Sequence, residues 1–208
     1  MTIEEYILAH IEPEPELLRQ LNRQTHQKII NPRMLSGHLQ GRILKMLTQM
    51  CQARTILELG TFTGYSALCF AEGLPDDGVL HTVEENDELE DFARDFFHRS
   101  EYGHKIVQHI GKALDVIQTL DCEFDLVFLD ADKREYTDYY RAVFDKLKAG
   151  GYLLADNTLW DGKVLHTPDP RDAQTIALQA FNNLVATDPR VETVILPLRD
   201  GLTVIRKK

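Results

Sequence analysis

Between residues 54 and 157 the chain switches repeatedly between two periodicities. Short apolar runs (RTILELG, GVLHTVE, KIVQHIG, FDLVFLD and GYLLADN) are separated by segments with helical spacing (GYSALCFAEGL, ENDELEDFARDFFHRS, ALDVIQTL and YTDYYRAVFDKLKAG). Such strand–helix repetition predicts an α/β fold: a mostly parallel sheet with helices on both faces. LVFL and YLLA are apolar at every position rather than at alternate ones, which places these strands in the doubly covered middle of the sheet. Acidic residues open the helix over ENDELEDFARDFFHRS, as its dipole favours.

The flanks differ. PEPELLRQLNRQTHQ and SGHLQGRILKMLTQM carry apolar residues at helical spacing, with Ser36 placed to cap the second. After the fifth strand come a loop with Gly162, Pro168 and Pro170 and a helix over AQTIALQAFNNLVATD. RVETVILPLRDGLTVIRK then holds two β-rich runs separated by RDG, which reads as an antiparallel hairpin. The 208 residues predict one domain, with helices over 1–52 and the sheet core over 53–208.

Charge and cysteine usage narrow the partners. The 23 basic and 33 acidic residues leave a net charge of −10, which argues against a nucleic-acid surface. No apolar run reaches the roughly 18 residues of a membrane span, and MTIEEYILAH lacks the basic and apolar regions of a signal peptide. Cys51, Cys69 and Cys122 are too scattered for a disulfide framework or a zinc site and fit a reducing cytoplasm. The eight histidines show no ligand spacing.

In such a sheet, ligands bind beyond the carboxyl ends of the strands. ILELGTFTGYS sets Gly60 and Gly64 between the first strand and its helix, a G-x-x-x-G spacing that is neither a dinucleotide fingerprint nor a P-loop. Glycine there lets the backbone approach a ligand. Glu58, two residues earlier, suits a cationic group such as an amine or sulfonium. Glu84 ends the second strand 24 residues after Gly60, where an acid commonly bonds ribose hydroxyls, with Glu85 its rival one step on. A nucleoside end, a cationic end and no phosphate describe S-adenosylmethionine.

Asp130 ends the fourth strand, and Asp156 and Asn157 end the fifth. Neighbouring strands lie about 5 Å apart, so three oxygen-bearing side chains can converge. Carboxylates and an amide oxygen suit Mg²⁺, with Ca²⁺ or Mn²⁺ as alternatives, and nothing here favours zinc. Lys133 can reach over such a metal as general base, its pKa lowered by the cation and by partial desolvation. Taken singly these residues also read as a helix cap, an Asx turn and a surface lysine. Their occurrence together at neighbouring strand ends favours the metal.

At this point ELGTFTGYS, LDADK and DNTLWDGKV resemble the cation-dependent class I O-methyltransferases, the group of caffeoyl-CoA and catechol O-methyltransferases and their bacterial relatives. The resemblance runs from about Ser36 to the end of the chain. It implies a Rossmann-like sheet of seven strands with the last one inserted antiparallel. It implies that Glu58, Gly60 and Thr61 line the methionine side of S-adenosylmethionine, with Ser66 opening the next helix and Ser36 touching the same end. Glu84 would hold the ribose, Ala113 the adenine region, and Asp132 the cofactor's amino group beside Asp130. Asp130, Asp156 and Asn157 would be the metal ligands and Lys133 the base. A homodimer is implied as well. Two departures stand out: Phe62 where the wider class often has glycine, and RQTHQKIINPRML, which lacks a strong match to the plant enzymes and leaves the acceptor open.

The expected reaction is methyl transfer to a hydroxyl of a small aromatic, catechol-like acceptor, with Trp160 walling the ring or simply packing. Three rivals differ in kind. A nicotinamide-dependent oxidoreductase lacks its glycine fingerprint here, and an RNA- or protein-modifying methyltransferase sits poorly with the acidic balance. A non-catalytic cofactor sensor has little use for Lys133.

Overall fold

A computed structural model describes residues 1–208. Its seven strands are β1 (Thr55–Leu59), β2 (Val79–Glu84), β3 (Ile106–Ile110), β4 (Phe124–Leu129), β5 (Leu147–Ala155), β6 (Val191–Leu196) and β7 (Leu202–Lys207). They form one sheet in the order β3-β2-β1-β4-β5-β7-β6. The pairings among β1 to β5 are parallel, and β7 enters antiparallel between β5 and β6. This is the Rossmann-like topology expected, with the terminal hairpin supplying the antiparallel strand.

Eight helices cover the sheet: α1 (Ile3–Ala9), α2 (Glu16–Lys28), α3 (Gly37–Met50), α4 (Tyr65–Gly73), α5 (Glu90–Arg99), α6 (Ala113–Thr119), α7 (Tyr136–Phe144) and α8 (Ala173–Thr187). The pleat of β4 divides the core in two. Leu126 and Phe128 join Leu21, Leu44, Phe70 and Phe96, from α2 to α5, in one cluster. Val127 and Leu129 join Ile117, Tyr140 and Phe181, from α6 to α8, in the other. All four β4 residues have no solvent exposure, and each such side chain contributes about 1.5–3 kcal/mol. A strand this apolar can run only through the middle.

Several boundaries depart from expectation for local reasons. Helix α1 falls inside the stretch expected to be helical but ahead of the two periodic segments, and starts at a reciprocal capping box of Thr2 and Glu5. Ser36 does precede α3, but its side chain makes no capping hydrogen bond, because its own backbone is already helical. Strand β5 starts at Leu147, inside the stretch read as the end of a helix. Leu147 pairs with Phe124, and a register shift before Leu126 lets the strand continue through Gly150, at φ +80°.

The strand ends are hooked to one another. Asp130 N donates to Leu59 O at 2.9 Å, and Asp156 N donates to Leu129 O at 2.9 Å. The first residues past β4 and β5 are thereby held in line by main chain alone.

Candidate active site

Above these ends lies a cavity of about 460 Å³. At one side it is lined by Ser36, Gly60, Thr61, Ser66, Glu84 and Ala113, and at the other by Asp130, Asp132, Lys133, Asp156, Asn157 and Trp160. Of the side chains picked out from the sequence for cofactor, metal or base, Glu58 alone does not line it.

Gly60 shows why the first turn needs glycine. Its φ is +103°, and a Cβ there would stand 2.2 Å from Asp130 O. The close neighbour is therefore the backbone that follows β4, which draws the two strand ends together, rather than a ligand alone. Gly64 has φ +90° and would press a Cβ to 2.5 Å from the Phe97 ring. Phe62 takes φ +47°, the left-handed conformation that glycine adopts freely. Its N–H donates to Glu84 Oε2 at 2.8 Å, which helps hold the conformation without glycine.

Glu84 uses both oxygens: Oε1 accepts from Asn86 N at 2.9 Å while Oε2 accepts from Phe62. Burial raises its pKa despite these backbone donors. Its rival Glu85 also lines the cavity but is exposed. Thr61 Oγ1 lies 2.6 Å from Thr82 Oγ1, and Thr82 in turn donates to Glu58 Oε2 at 2.5 Å. Glu58 is completely buried beneath this pair, and its Oε1 has no hydrogen-bond partner. Burial, with the negative charges of Asp130 and Glu84 nearby, pushes its carboxyl up to about 8 although Ser66 and Thr82 oppose the shift. At neutral pH it carries a proton.

The second half of the site is built by charge pairing. Lys133 Nζ donates to Asp130 Oδ1 at 2.7 Å and to Ala131 O at 3.1 Å, and lies 5.1 Å above the Tyr136 ring. Burial alone would lower the Lys133 ammonium, but Asp130 and the Tyr136 hydroxyl outweigh it and hold the pKa above its ordinary value. Without a bound cation the nearest charge is an anion, so the ammonium proton is held rather than released. Burial pushes Asp130 up to about 6; Lys133 pulls it down and neighbouring Asp156 pushes it further up. The Tyr136 hydroxyl, 3.0 Å from Leu129 O and 3.1 Å from Asp156 O, ties the ends of β4 and β5 together.

Asp132 caps the turn that follows, accepting from Arg134 N at 3.0 Å and Nε at 2.9 Å. The guanidinium holds its carboxyl below the ordinary value. Asp156 Oδ1 accepts from Asn157 N at 2.9 Å, an Asx turn with Asn157 at φ +59°. Trp160, Asp161 and Gly162 all have left-handed φ, and Trp160 Nε1 is buried without a partner.

No three His, Cys, Asp or Glu side chains converge as a ready-made metal cluster. A cation here would need the Asn157 amide and solvent besides the two carboxylates. That donor set is all oxygen, and Asp156 lies close enough to Asp130 for its negative charge to raise that carboxyl's pKa. The residues fit a hard dication.

Two participants have no local signature. Gln40 Nε2 donates to Asp156 Oδ2 at 2.7 Å, and Gln40 Oε1 accepts from Arg199 Nη1 at 2.5 Å. They stand 116 and 159 residues from these partners, and only the RDG turn hinted that Arg199 occupies a special conformation.

Residues 8–208 match the family model described as O-methyltransferase. The chain is 34% identical over 206 residues to caffeoyl-CoA O-methyltransferase 5 of Nicotiana tabacum, covering 93% of this chain and 85% of that one. It is 33% identical to tricin synthase 1 of Oryza sativa subsp. japonica, over 93% and 82% of the two chains. Among solved structures, the O-methyltransferase TomG of Streptomyces achromogenes, involved in tomaymycin synthesis and crystallised with SAM, superposes with a TM-score of 0.92. It is 28% identical, and each chain is covered completely. An O-methyltransferase of Bacillus cereus in complex with SAH gives a TM-score of 0.93 at 26% identity, covering 99% of this chain and 97% of that one. The chain belongs to the O-methyltransferase family: it is an enzyme that transfers a methyl group to oxygen.

Proposed function

We propose that the protein transfers the methyl group of S-adenosylmethionine to a hydroxyl of a small catechol-like acceptor, with a divalent cation at Asp130, Asp156 and Asn157. One observation carries this reading: a single cavity is lined both by the glycine turn with Glu84 and by Asp130, Asp156, Asn157 and Lys133. Solved relatives that hold SAM or SAH, and curated relatives named for caffeoyl-CoA, support the cofactor and the acceptor class.

Glu84 takes the ribose hydroxyls, with Ser36, Thr61, Ser66, Ala113 and Asp132 around the rest of the cofactor. Gly60 brings the turn close enough to seat it. Glu58, buried just behind Thr82, faces the cationic end from below, where a sulfonium and an ammonium would draw its proton off. Mg²⁺ is the expected cation, with Ca²⁺ or Mn²⁺ as substitutes. When bound, it would lower the acceptor hydroxyl's pKa and share the Asp130 charge that holds the Lys133 proton. Lys133 is the only lysine lining the cavity; with a cation on Asp130 it would release its own proton to solvent, and we assign the resulting amine the acceptor's proton, which then also leaves to solvent. The phenolate oxygen then forms its bond to the methyl carbon as the carbon–sulfur bond breaks and the electron pair returns to sulfur. Two reactants held side by side account for much of the rate. Trp160 and the exposed Arg33 and Met34 border the acceptor's entrance.

The test is methyl transfer over a panel of catechols, caffeoyl esters and hydroxylated flavonoids with Mg²⁺, repeated in EDTA. Activity on at least one vicinal diol, lost in EDTA and restored by metal, is expected; full activity in EDTA would remove the cation from the proposal. A homodimer belongs to the same reading, and the exposed Met46 and Met50 on α3 offer it apolar surface.

A further inference from the structure

We infer that Gln40, locked by Arg199, is a positioning residue that sets the orientation of Asp156 and with it the cation affinity of the acid pair. The inference rests on Asp130, Asp156 and Asn157 being the cation ligands.

Gln40 lies near the start of α3 and is 1% exposed. An amide buried this deeply is costly unless both its ends are bonded. Here they are, and the bonding has a direction. Arg199 Nη1 donates to Gln40 Oε1 at 2.5 Å and also to Ser36 O. A guanidinium can only donate, so the amide oxygen must face Arg199. The amide nitrogen is thereby committed to Asp156 Oδ2, 2.7 Å away. Asp156 Oδ1 is meanwhile fixed by the Asn157 N–H at 2.9 Å. Both carboxylate oxygens are pinned, each by one donor, and each retains acceptor capacity for a further partner. Asp156 itself is 2% exposed, so its head group has little other freedom.

Arg199 sits in the turn between β6 and β7 at φ +48°, a conformation that costs a non-glycine residue free energy. Its bonds to Ser36 and Gln40 are what that conformation serves. The same guanidinium therefore holds the carbonyl of Ser36, at the cofactor side of the cavity, and the orientation of a carboxylate at the other side. A purely structural cross-link between α3 and the hairpin would be satisfied by the Arg199–Ser36 bond alone. Committing the amide nitrogen to a carboxylate in the cavity is what singles out positioning.

Mn²⁺ binding followed by electron paramagnetic resonance tests this in wild type, Gln40→Met, Arg199→Met and Arg199→Lys. Cofactor affinity without metal and melting temperature are measured on the same samples. Gln40→Met is expected to weaken Mn²⁺ about 10–100-fold, the range seen when a ligand's supporting partner is removed, and to leave metal-free S-adenosylmethionine affinity within about twofold. Arg199→Met should weaken Mn²⁺ less, and Arg199→Lys, which keeps a donor, should restore most of that loss. Unchanged Mn²⁺ affinity in Gln40→Met, with only a lower melting temperature, overturns the inference. If Gln40→Met does not fold, the arginine pair decides, and equal Mn²⁺ affinity in wild type and Arg199→Met overturns it. A wild type that binds no Mn²⁺ overturns the cation reading and this inference together, an outcome distinct from normal binding that the variants leave unchanged.

Discussion

Glu58 and Asp130 come from adjacent strands and are both acids withdrawn from water, yet they are managed in opposite ways. Asp130 has an ammonium at 2.7 Å and stays near 6. Glu58 has no cation, only a threonine hydroxyl at 2.5 Å and an oxygen with no partner, and rises to about 8. Asp130's counterion is part of the chain, whereas no cation of the chain pairs with Glu58. An acid stored neutral beneath a cavity points to a cationic ligand more sharply than one that is already paired.

Breaking the paired side should have the largest effect. Lys133→Met leaves Asp130 beside Asp156 with no ammonium and the acceptor with no base. We expect kcat to fall by about 10²–10⁴-fold, the usual worth of a positioned acid or base. Cofactor affinity measured calorimetrically should hold; an unchanged kcat would remove Lys133 from the chemistry.

The junction between the two acids comes next. Gly60→Ala forces a Cβ towards Asp130 O, to 2.2 Å if nothing moves, at a positive φ. A loss of roughly 2–4 kcal/mol is expected, read as a fall of several degrees in melting temperature. A melting temperature equal to wild type would mean that the strand ends are not locked as described.

The unpaired side should show itself through pH. The folded chain holds the Glu58 proton up to about 8, whereas the ordinary carboxyl releases it near 4.5. Between those values the native state binds the extra proton, so the Glu58 contribution to stability is greatest below pH 4.5 and declines as pH rises towards 8. In Glu58→Gln this part of the slope should vanish, a difference on the order of 5 kcal/mol across the window by denaturant titration without cofactor. Parallel slopes in the two proteins would place the Glu58 pKa at its ordinary value.

Much of this was legible in the sequence because strands and strand ends are local features. FDLVFLD announces a buried strand and the acid that ends it; ELGTFTG announces a turn. What the sequence withheld depends on distance or on surroundings. Glu58 could be seen as an acid, but its complete burial under Thr61 and Thr82 depends on how neighbouring strands are registered. The pairing of Lys133 with Asp130 three residues away was not foreseen: without a cation it holds the Lys133 pKa up, whereas the lowered value was expected beside a bound cation. KLKAG resembles a helix end until Phe124 offers it a partner. Gln40 and Arg199 could not be picked out, since their partners, Asp156, Ser36 and each other, lie far away in the chain or carry no pattern.

The hooks from Leu59 to Asp130 and from Leu129 to Asp156 are main-chain bonds, indifferent to what side chains the flanking loops carry. The backbone positions of Asp130 and Asp156 therefore do not depend on the side chains of residues 159–171 and 30–35. On the proposed reading, loops at the acceptor's entrance could be exchanged without moving the backbone that carries the acids.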